Sequence, residues 1–157
     1  MGIEIERKFL VNKSQWAQTP KPAGIGFKQG YLLNDAGKTI RVRIAGNDAW
    51  LTIKGPSKGY SRKEYEYQIP VNDAAELLAD MAGAVIEKTR YRINFAKKLW
   101  EVDVFGGENN GLIMAEIELE EESETFELPD WVLNEISGDV RYYNSYLSEN
   151  PYCNWGV

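Results

Sequence analysis

The chain has 157 residues and a formal net charge of −6, with no histidine and one cysteine, Cys153. Histidine triads, histidine metal ligands, internal disulfides and cysteine zinc clusters are therefore excluded. The acidic balance argues against a nucleic-acid partner bound through its phosphates. The size predicts one domain, residues 1–157. No apolar run is long enough to span a membrane and no signal peptide is recognisable, so we expect a cytoplasmic protein.

The first half of the chain predicts strands separated by turns. Alternation of apolar and charged residues predicts a first strand over 3–11, and a short helical turn over 14–17. Four further strands follow, at 27–33, 39–45, 49–54 and 62–70. Turn-forming segments such as Asn34-Asp35-Ala36-Gly37 separate them, which is typical of antiparallel hairpins.

The second half adds helices. Asn72 is the predicted N-cap of a helix that Gly83 stops. Three strands are predicted at 85–95, 98–105 and 111–121. One short helix is expected around Trp131, Val132, Glu135 and Ile136, and a second through Tyr142, Tyr146 and Leu147. The pattern predicts an α+β fold: a closed antiparallel barrel of about eight strands, with helices between and after them.

The charged faces of these strands carry mostly one sign each. In the first strand Glu4, Glu6 and Lys8 share a face, because side chains alternate with a period of two. Elsewhere basic and acidic strands are segregated, whereas a surface that is only soluble usually mixes the signs. The other single-signed faces belong to Arg41 and Arg43, to Glu64 and Glu66, to Lys88, Arg90 and Arg92, to Glu101 and Asp103, and to Glu116, Glu118 and Glu120. Such a sheet suits a polyanion and its metal ions.

A family resemblance rests on motifs that run in order along the chain. They are Glu4-Ile5-Glu6-Arg7-Lys8, Gln29-Gly30-Tyr31, Arg41-Val42-Arg43, Leu51-Thr52-Ile53-Lys54, Ser61-Arg62-Lys63-Glu64-Tyr65-Glu66, Glu87-Lys88-Thr89-Arg90-Tyr91, Trp100-Glu101-Val102-Asp103-Val104-Phe105, Ala115-Glu116-Ile117-Glu118-Leu119 and Arg141-Tyr142-Tyr143-Asn144. With these motifs the chain resembles the CYTH family, the triphosphate tunnel metalloenzymes, and most closely its compact bacterial inorganic tripolyphosphatases. The resemblance implies an eight-stranded antiparallel barrel whose tunnel binds a triphosphate and a divalent metal.

The resemblance, with charge and position, implies residue roles. The metal, Mg²⁺ or Mn²⁺, would bind to carboxylates, since hard cations prefer oxygen. The implied metal ligands are Glu4, Glu6, Asp103, Glu116 and Glu118. The implied phosphate ligands are Lys8, Arg41, Arg43, Lys54, Lys88 and Arg90. The catalytic group would comprise Glu4, Glu118 and Lys8, with one carboxylate assisting a metal-activated water that attacks a terminal phosphorus.

Other positions keep two interpretations. Arg62, Glu64 and Glu66 either bind substrate or form ion pairs that hold the basic residues. Arg92, Glu101 and Glu120 lie near strand ends and are expected at solvent, and Tyr31 is expected in the core. Arg141 either reaches a tunnel mouth or caps a helix.

Hydrolysis of inorganic tripolyphosphate is the leading functional hypothesis. Within the family, the alternatives are a class IV-like adenylate cyclase and hydrolysis of thiamine triphosphate, nucleotides or RNA 5′-triphosphates. A non-catalytic polyphosphate-binding module is the alternative outside enzymes, although intact pairs of acidic residues argue against it. The expected partner is a small molecule that contains a triphosphate, and a homodimer is left open.

Overall fold

The computed structural model describes residues 2–156. Met1 and Val157, the ends of the predicted domain, lie outside the described residues. The strands of the described part are β1 (Gly2–Val11), β2 (Ile25–Asp35), β3 (Lys38–Ala45), β4 (Asp48–Lys54), β5 (Ser61–Ile69), β6 (Ile86–Phe95), β7 (Lys98–Phe105), β8 (Ile113–Glu118) and β9 (Val132–Glu135). The α-helices there are α1 (Lys13–Gln18), α2 (Val71–Asp80) and α3 (Asn144–Leu147).

The first eight strands form a closed antiparallel barrel, which confirms the predicted fold. Their order is β5-β4-β3-β2-β6-β7-β8-β1, and β1 pairs back to β5 through Glu4 and Arg62. Every pairing of neighbouring strands is antiparallel. Because alternate residues face inwards, closure turns the charged face of each strand towards one interior.

Apolar residues on the outer face of the barrel are covered by the connections. An aromatic cluster that includes Phe9, Trp16, Trp100 and Trp131 packs on β1, β7 and β8. Helix α2 covers β3 and β4, where Val42, Ala49, Ala74 and Leu78 are buried. Burial of apolar side chains on this outer side holds the strands while the interior stays polar.

One end of the barrel is filled by an apolar cluster, called the closed end below. Its buried members are Ile86, Phe105, Leu112, Met114, Ile136 and Leu147. Tyr142, Tyr152 and Trp155 of the C-terminal segment pack against it. The C-terminal residues therefore belong to the wall of the interior, although the barrel strands precede them in the chain.

The helix predicted around Trp131 to Ile136 is wrong. Residues Val132–Glu135 form β9 and pair with β1, opposite Phe9 and Val11. The pairing of β1 with β5 covers only the first residues of β1, up to Ile5. Beyond Ile5 the backbone N–H and C=O groups on that edge of β1 need other hydrogen-bond partners, and β9 supplies them. The apolar residues are spaced as in a helix because Trp131 and Ile136, which are buried, come immediately before and immediately after this strand.

The predicted cap of α2 is also wrong. The helix begins one residue after Pro70, which is the N-cap, and no side chain caps it. Proline fixes a backbone φ that suits the start of a helix, and here its φ is −60°. The helix ends at Asp80 with Met81 as the C-cap, so Gly83 lies beyond it. The other strand boundaries agree with the prediction to within a few residues.

Candidate active site

The barrel encloses a cavity of ≈ 420 Å³ whose lining is dense with charge. The acidic residues that line it are Glu4, Glu6, Asp48, Glu64, Glu66, Glu101, Glu116 and Glu118. The basic residues that line it are Lys8, Arg41, Arg43, Lys54, Arg62, Lys88, Arg90 and Arg92. Every residue predicted to bind metal or substrate thus reaches the cavity, with the exception of Asp103.

Asp103 lies behind the cavity wall as the counter-ion of two basic residues. Its Oδ2 accepts a hydrogen bond from Nζ of Lys88 at 2.7 Å. Arg90 donates to both carboxylate oxygens, from Nε at 2.7 Å and from Nη2 at 2.9 Å. Asp103 is 1% exposed, and the lone pairs that a metal ion would use point at these donors. The geometry favours a supporting ion pair over the metal ligation that the sequence predicts for Asp103.

Burial works against the charge on both Asp103 and Lys88. For Asp103 the charges of Arg90 and Lys88 outweigh burial and lower the pKa to about 2. For Lys88 burial prevails, and with the repulsion from Arg90 and Arg43 it lowers the pKa to about 7. Burial, Arg41 and Arg90 also lower the pKa of Arg43 to about 9. Arg41, Arg43, Lys88 and Arg90 form the basic side of the cavity. For Arg90 the charges of Asp103, Glu116 and Glu101 outweigh burial and raise the pKa, whereas Lys88 and Arg43 lack enough nearby negative charge to offset their burial. An anionic ligand would supply that charge.

Arg43, Lys88 and Arg90 surround one aromatic ring. The guanidinium carbons of Arg43 and Arg90 lie 4.8 and 4.9 Å from the ring centroid of Phe27, and Nζ of Lys88 lies 5.9 Å from it. The negative face of the ring attracts these cations and offsets part of their mutual repulsion. Phe27 was not among the predicted site residues, because an aromatic residue in a strand usually indicates packing.

Arg41 has an unpaired donor within the wall. Its Nη2 donates to Oγ1 of Thr52 at 3.3 Å and lies 3.9 Å from Oε2 of Glu66. Its buried Nε has no hydrogen-bond partner among residues 2–156. A buried N–H group without an acceptor is costly, so a ligand oxygen at this position would stabilise the arrangement.

The acidic side of the cavity comprises the carboxylates of β1, β5, β7 and β8, and lysines neutralise part of its negative charge. Nζ of Lys54 lies 2.9 Å from both carboxylate oxygens of Glu4 and 3.9 Å from Oε1 of Glu64. Nζ of Lys8 lies 3.8 Å from Oε1 of Glu6 and 5.1 Å from the ring centroid of Tyr143. Both lysines line the same cavity as the carboxylates and the basic side, so a ligand that carries phosphate and metal would meet them there.

Glu6 on β1 and Glu116 on the neighbouring strand β8 both line the cavity. Burial and the neighbouring charge of Glu116 raise the pKa of Glu6 well above its usual range. Burial opposes ionisation of Glu116 too, but Lys8 and the hydrogen bond from Glu6 hold its pKa well below normal. Two largely buried carboxyl groups with opposite pKa shifts repel each other when both are ionised, and a bound cation would relieve that repulsion.

This donor set fits a hard divalent cation. Within residues 2–156, no three acidic side chains converge closely enough to enclose a metal ion by themselves. A cation such as Mg²⁺ needs no such cage, because it keeps several waters and takes one or two carboxylates together with substrate phosphates. The pair of Glu6 and Glu116 meets that requirement, and Glu4 and Glu118 line the same cavity.

The residues with two interpretations divide as follows. Arg62, Glu64 and Glu66 line the cavity, and Arg62 donates to the backbone oxygen of Gly55 at 3.2 and 3.0 Å. Arg92, Glu101 and Tyr31 also line it. Arg92 is exposed, as expected, whereas Glu101 and Tyr31 are half-buried at the cavity, contrary to the solvent and core positions expected for them. Arg141 lies outside and pairs with Asp139 at 2.7 Å. Glu120 is exposed and is not part of the lining.

Gln29 and Asn144 hold basic residues of the cavity in place, a role that the sequence did not reveal. Gln29 is fully buried; its Oε1 accepts from Nε of Arg43 at 2.8 Å, and its Nε2 donates to Oδ1 of Asn144 at 2.9 Å. Nζ of Lys88 donates to the same Oδ1 at 3.1 Å. Both residues belong to the motifs on which the family resemblance rests. The sequence of a motif does not show, however, which charged side chains its amide group contacts.

Comparison with known proteins agrees with this geometry. The model of the CYTH domain matches residues 2–144. A protein named inorganic triphosphatase from Acetivibrio thermocellus is 48% identical over 156 residues, covering 99% of each chain. A protein of the same name from Nitrosomonas europaea is 35% identical over 149 residues, covering 92% of this chain and 96% of that one.

Solved structures show the same architecture. The crystal structure of the inorganic triphosphatase NE1496 superposes with a TM-score of 0.64 at 34% sequence identity. The match covers 92% of this chain and 93% of that one. Both the family model and these relatives span nearly the whole sequence, and the charged barrel interior agrees with them. This chain therefore belongs to the CYTH family.

Proposed function

We propose that the protein hydrolyses inorganic tripolyphosphate in the barrel cavity. The observation that carries this proposal is the charged lining of the cavity, in which basic residues come mainly from β3, β4 and β6 and acidic residues mainly from β1, β5, β7 and β8. A linear triphosphate needs cations along its length and a metal beside its reacting phosphate. The two relatives named inorganic triphosphatase support the same substrate class, since they match nearly the full chain.

The basic side, together with Lys8 and Lys54, would hold the phosphates. Arg41, Arg43 and Arg90 present planar guanidinium groups suited to two-point contacts with phosphate oxygens, and Lys8, Lys54 and Lys88 present point charges. The three arginines and Lys88 are held by Asp103, Gln29, Thr52 and Phe27 before any ligand binds. A clamp that is already ordered loses little entropy on binding and positions the reacting phosphate for attack.

The acidic side would hold the metal and receive the proton. We propose Glu6 and Glu116 as direct ligands of Mg²⁺ or Mn²⁺, and Glu4 and Glu118 as ligands through waters of that ion. The bound ion would neutralise charge that develops on the phosphate. Water attacks the terminal phosphorus, its oxygen forms the new P–O bond, and the bridging P–O bond breaks to release pyrophosphate. Burial, Glu4 and Glu101 raise the pKa of Glu118, which suits this carboxylate to accept the water's proton.

Lys8 is proposed to contact the reacting phosphate, because it lies between the acidic pair and the ring of Tyr143. Arg62, Glu64 and Glu66 are proposed to support the clamp, since Glu64 and Glu66 lie near Lys54 and Arg41. We further propose that residues 1–157 form one domain. Among residues 2–156 no helix is long and apolar enough to cross a membrane, and the cytoplasmic location stays a prediction.

Phosphate release from tripolyphosphate, ATP, thiamine triphosphate and pyrophosphate, each with Mg²⁺, Mn²⁺ or a chelator, tests the proposal. We expect metal-dependent turnover that is fastest with tripolyphosphate. Formation of cyclic AMP from ATP as the dominant reaction would assign the protein to the cyclase alternative. Binding of tripolyphosphate without turnover in any metal would support the non-catalytic binding module.

A further inference from the structure

Asn144 brings the C-terminal segment into the cavity. It is the first residue of α3, outside the barrel strands, and it lines the cavity. Leu147, three residues later, is completely buried in the closed end. Residues three apart lie on the same side of a helix, so burial of Leu147 fixes the position of Asn144.

The hydrogen bonds of Asn144 determine which way its amide points. Its Oδ1 accepts from Nε2 of Gln29 at 2.9 Å and from Nζ of Lys88 at 3.1 Å. Both donors belong to completely buried side chains. The reverse orientation would place an NH₂ group against an ammonium group, which only donates. The network therefore requires the carbonyl to face Gln29 and Lys88, and the NH₂ group to face away from them.

The NH₂ group of Asn144 is available to a ligand. Within residues 2–156, no side-chain or backbone oxygen accepts a hydrogen bond from Nδ2 of Asn144. The same cavity wall carries Lys88 and, through Gln29, Arg43. An acceptor that enters between these groups must tolerate positive charge on both sides, which is the property of an anionic oxygen.

We propose that Asn144 is a substrate-binding residue that donates a hydrogen bond from Nδ2 to a phosphate oxygen of the bound polyphosphate. This inference rests on the proposed function, because the ligand is the triphosphate of that reaction. Asn144 would add a neutral donor to a wall of cations, where a further lysine or arginine would increase repulsion. Specificity for the ligand would then depend on the C-terminal segment as well as on the barrel.

The test measures binding apart from turnover. Calorimetric titration of the full-length protein with tripolyphosphate in chelator compares wild type with Asn144→Asp and Asn144→Ala. The aspartate keeps an oxygen for Gln29 and Lys88 but loses the donor, and the alanine loses the donor without adding charge. We expect both variants to bind about tenfold or more weakly, the effect of one lost hydrogen bond to a charged group.

Asn150→Asp is the matched control. Asn150 lies in the same C-terminal segment but is exposed and outside the cavity lining, so the same substitution there adds the same charge at a distance. We expect its affinity to stay within twofold of wild type. Thermal melts of all variants exclude loss of folding as the cause of weaker binding.

Nuclear magnetic resonance distinguishes a direct contact of Asn144 with the ligand from a purely structural role. The side-chain NH₂ signals of Asn144 are identified by their absence from the spectrum of Asn144→Asp. A direct donor predicts that these signals shift downfield on addition of tripolyphosphate to the wild-type protein.

The outcomes separate this inference from the proposed function. Binding of tripolyphosphate that depends on Asn144, without hydrolysis in any metal, would sustain the inference and reject the proposed function. Hydrolysis with Asn144 variants that bind like wild type, or with unshifted NH₂ signals, would reject the inference and leave the function standing. A wild-type protein that neither binds nor hydrolyses tripolyphosphate would overturn both.

Discussion

Lys54 on β4 and Glu4 on β1 are each other's counter-ions, with Nζ of the lysine 2.9 Å from both carboxylate oxygens. The sequence assigns them to opposite roles, one to phosphate and the other to metal. A ligand that brings both a metal ion and phosphate can take the place of each partner: the metal ion pairs with Glu4 in place of the ammonium group, and the phosphate pairs with Lys54 in place of the carboxylate. The cavity can therefore keep its charges balanced before and after binding.

Glu4→Gln tests the acidic side at this pair. Glutamine keeps the size of the side chain and removes one charged oxygen, so we expect turnover to fall at least a hundredfold while the melting temperature stays within a few degrees. The same result is expected for Glu6, Glu116 and Glu118. Phosphate-release assays across a range of metal concentrations check this. Full activity of the wild type in chelator would contradict the metal assignment.

Arg41→Ala and Arg43→Ala test the basic side. Each should lose charge-assisted contacts with phosphate, and the transition state should be destabilised by about 1.5–3 kcal/mol per contact. The ratio kcat/KM for tripolyphosphate measures this. Lys13→Ala is the control, because Lys13 is exposed and outside the cavity lining. Equally small effects at all three positions would mean that the charged faces do not bind substrate.

A comparison of kcat/KM for different phosphate substrates tests how many of the cavity's cations contact the substrate. A cavity with cations from Lys8 to Arg90 along its wall has contacts for three phosphates, and pyrophosphate cannot reach all of them. We therefore expect kcat/KM for tripolyphosphate to exceed that for pyrophosphate at least tenfold, because remote binding energy positions the reacting phosphate. Turnover of ATP should also be lower. Comparable values for all three substrates would show that distant contacts contribute nothing.

Asp103→Asn distinguishes a supporting ion pair from a metal ligand. Removal of this charge leaves Lys88 and Arg90 without their shared counter-ion inside the wall, which should cost about 3–5 kcal/mol in the free energy of unfolding. Urea titration measures it. Glu118→Gln, at the exposed mouth, should change the unfolding free energy by less than about 0.5 kcal/mol. Unchanged stability with lost metal affinity would restore Asp103 as a ligand.

The pH dependence of binding tests Lys88. Because its pKa is lowered to about 7, mainly by burial, the ammonium is present below that pH and is lost above it. A phosphate ligand prefers the charged form, so affinity for tripolyphosphate should fall as pH rises from 6 to 8. In Lys88→Gln this part of the pH dependence should be absent. Parallel profiles for the two proteins in the same buffers would show that Lys88 does not titrate in this range.

The sequence by itself determined the barrel strands and the charged faces. Alternation is a local property, so the inward positions of Glu4, Glu6 and Lys8 could be read along one strand. Single-signed faces and the order of the motifs then predicted closure around a polyanion. Local rules failed where a distant partner decided the conformation, as for Val132–Glu135, which pairs with an edge of β1 that β5 leaves free.

Tertiary structure alone decided which charges pair with each other. Asp103 alternates along β7 like a metal ligand, but strand register places it against Arg90, and its carboxylate is taken by two cations. Arg92 and Glu101 lie opposite each other on the inward faces of β6 and β7, and closure of the barrel places both in the cavity lining rather than on an open surface. Asn144 reaches Gln29 across 115 residues of chain only because Leu147 is buried in the closed end. Periodicity specifies the face of a strand, whereas contacts between faces depend on how all the strands close.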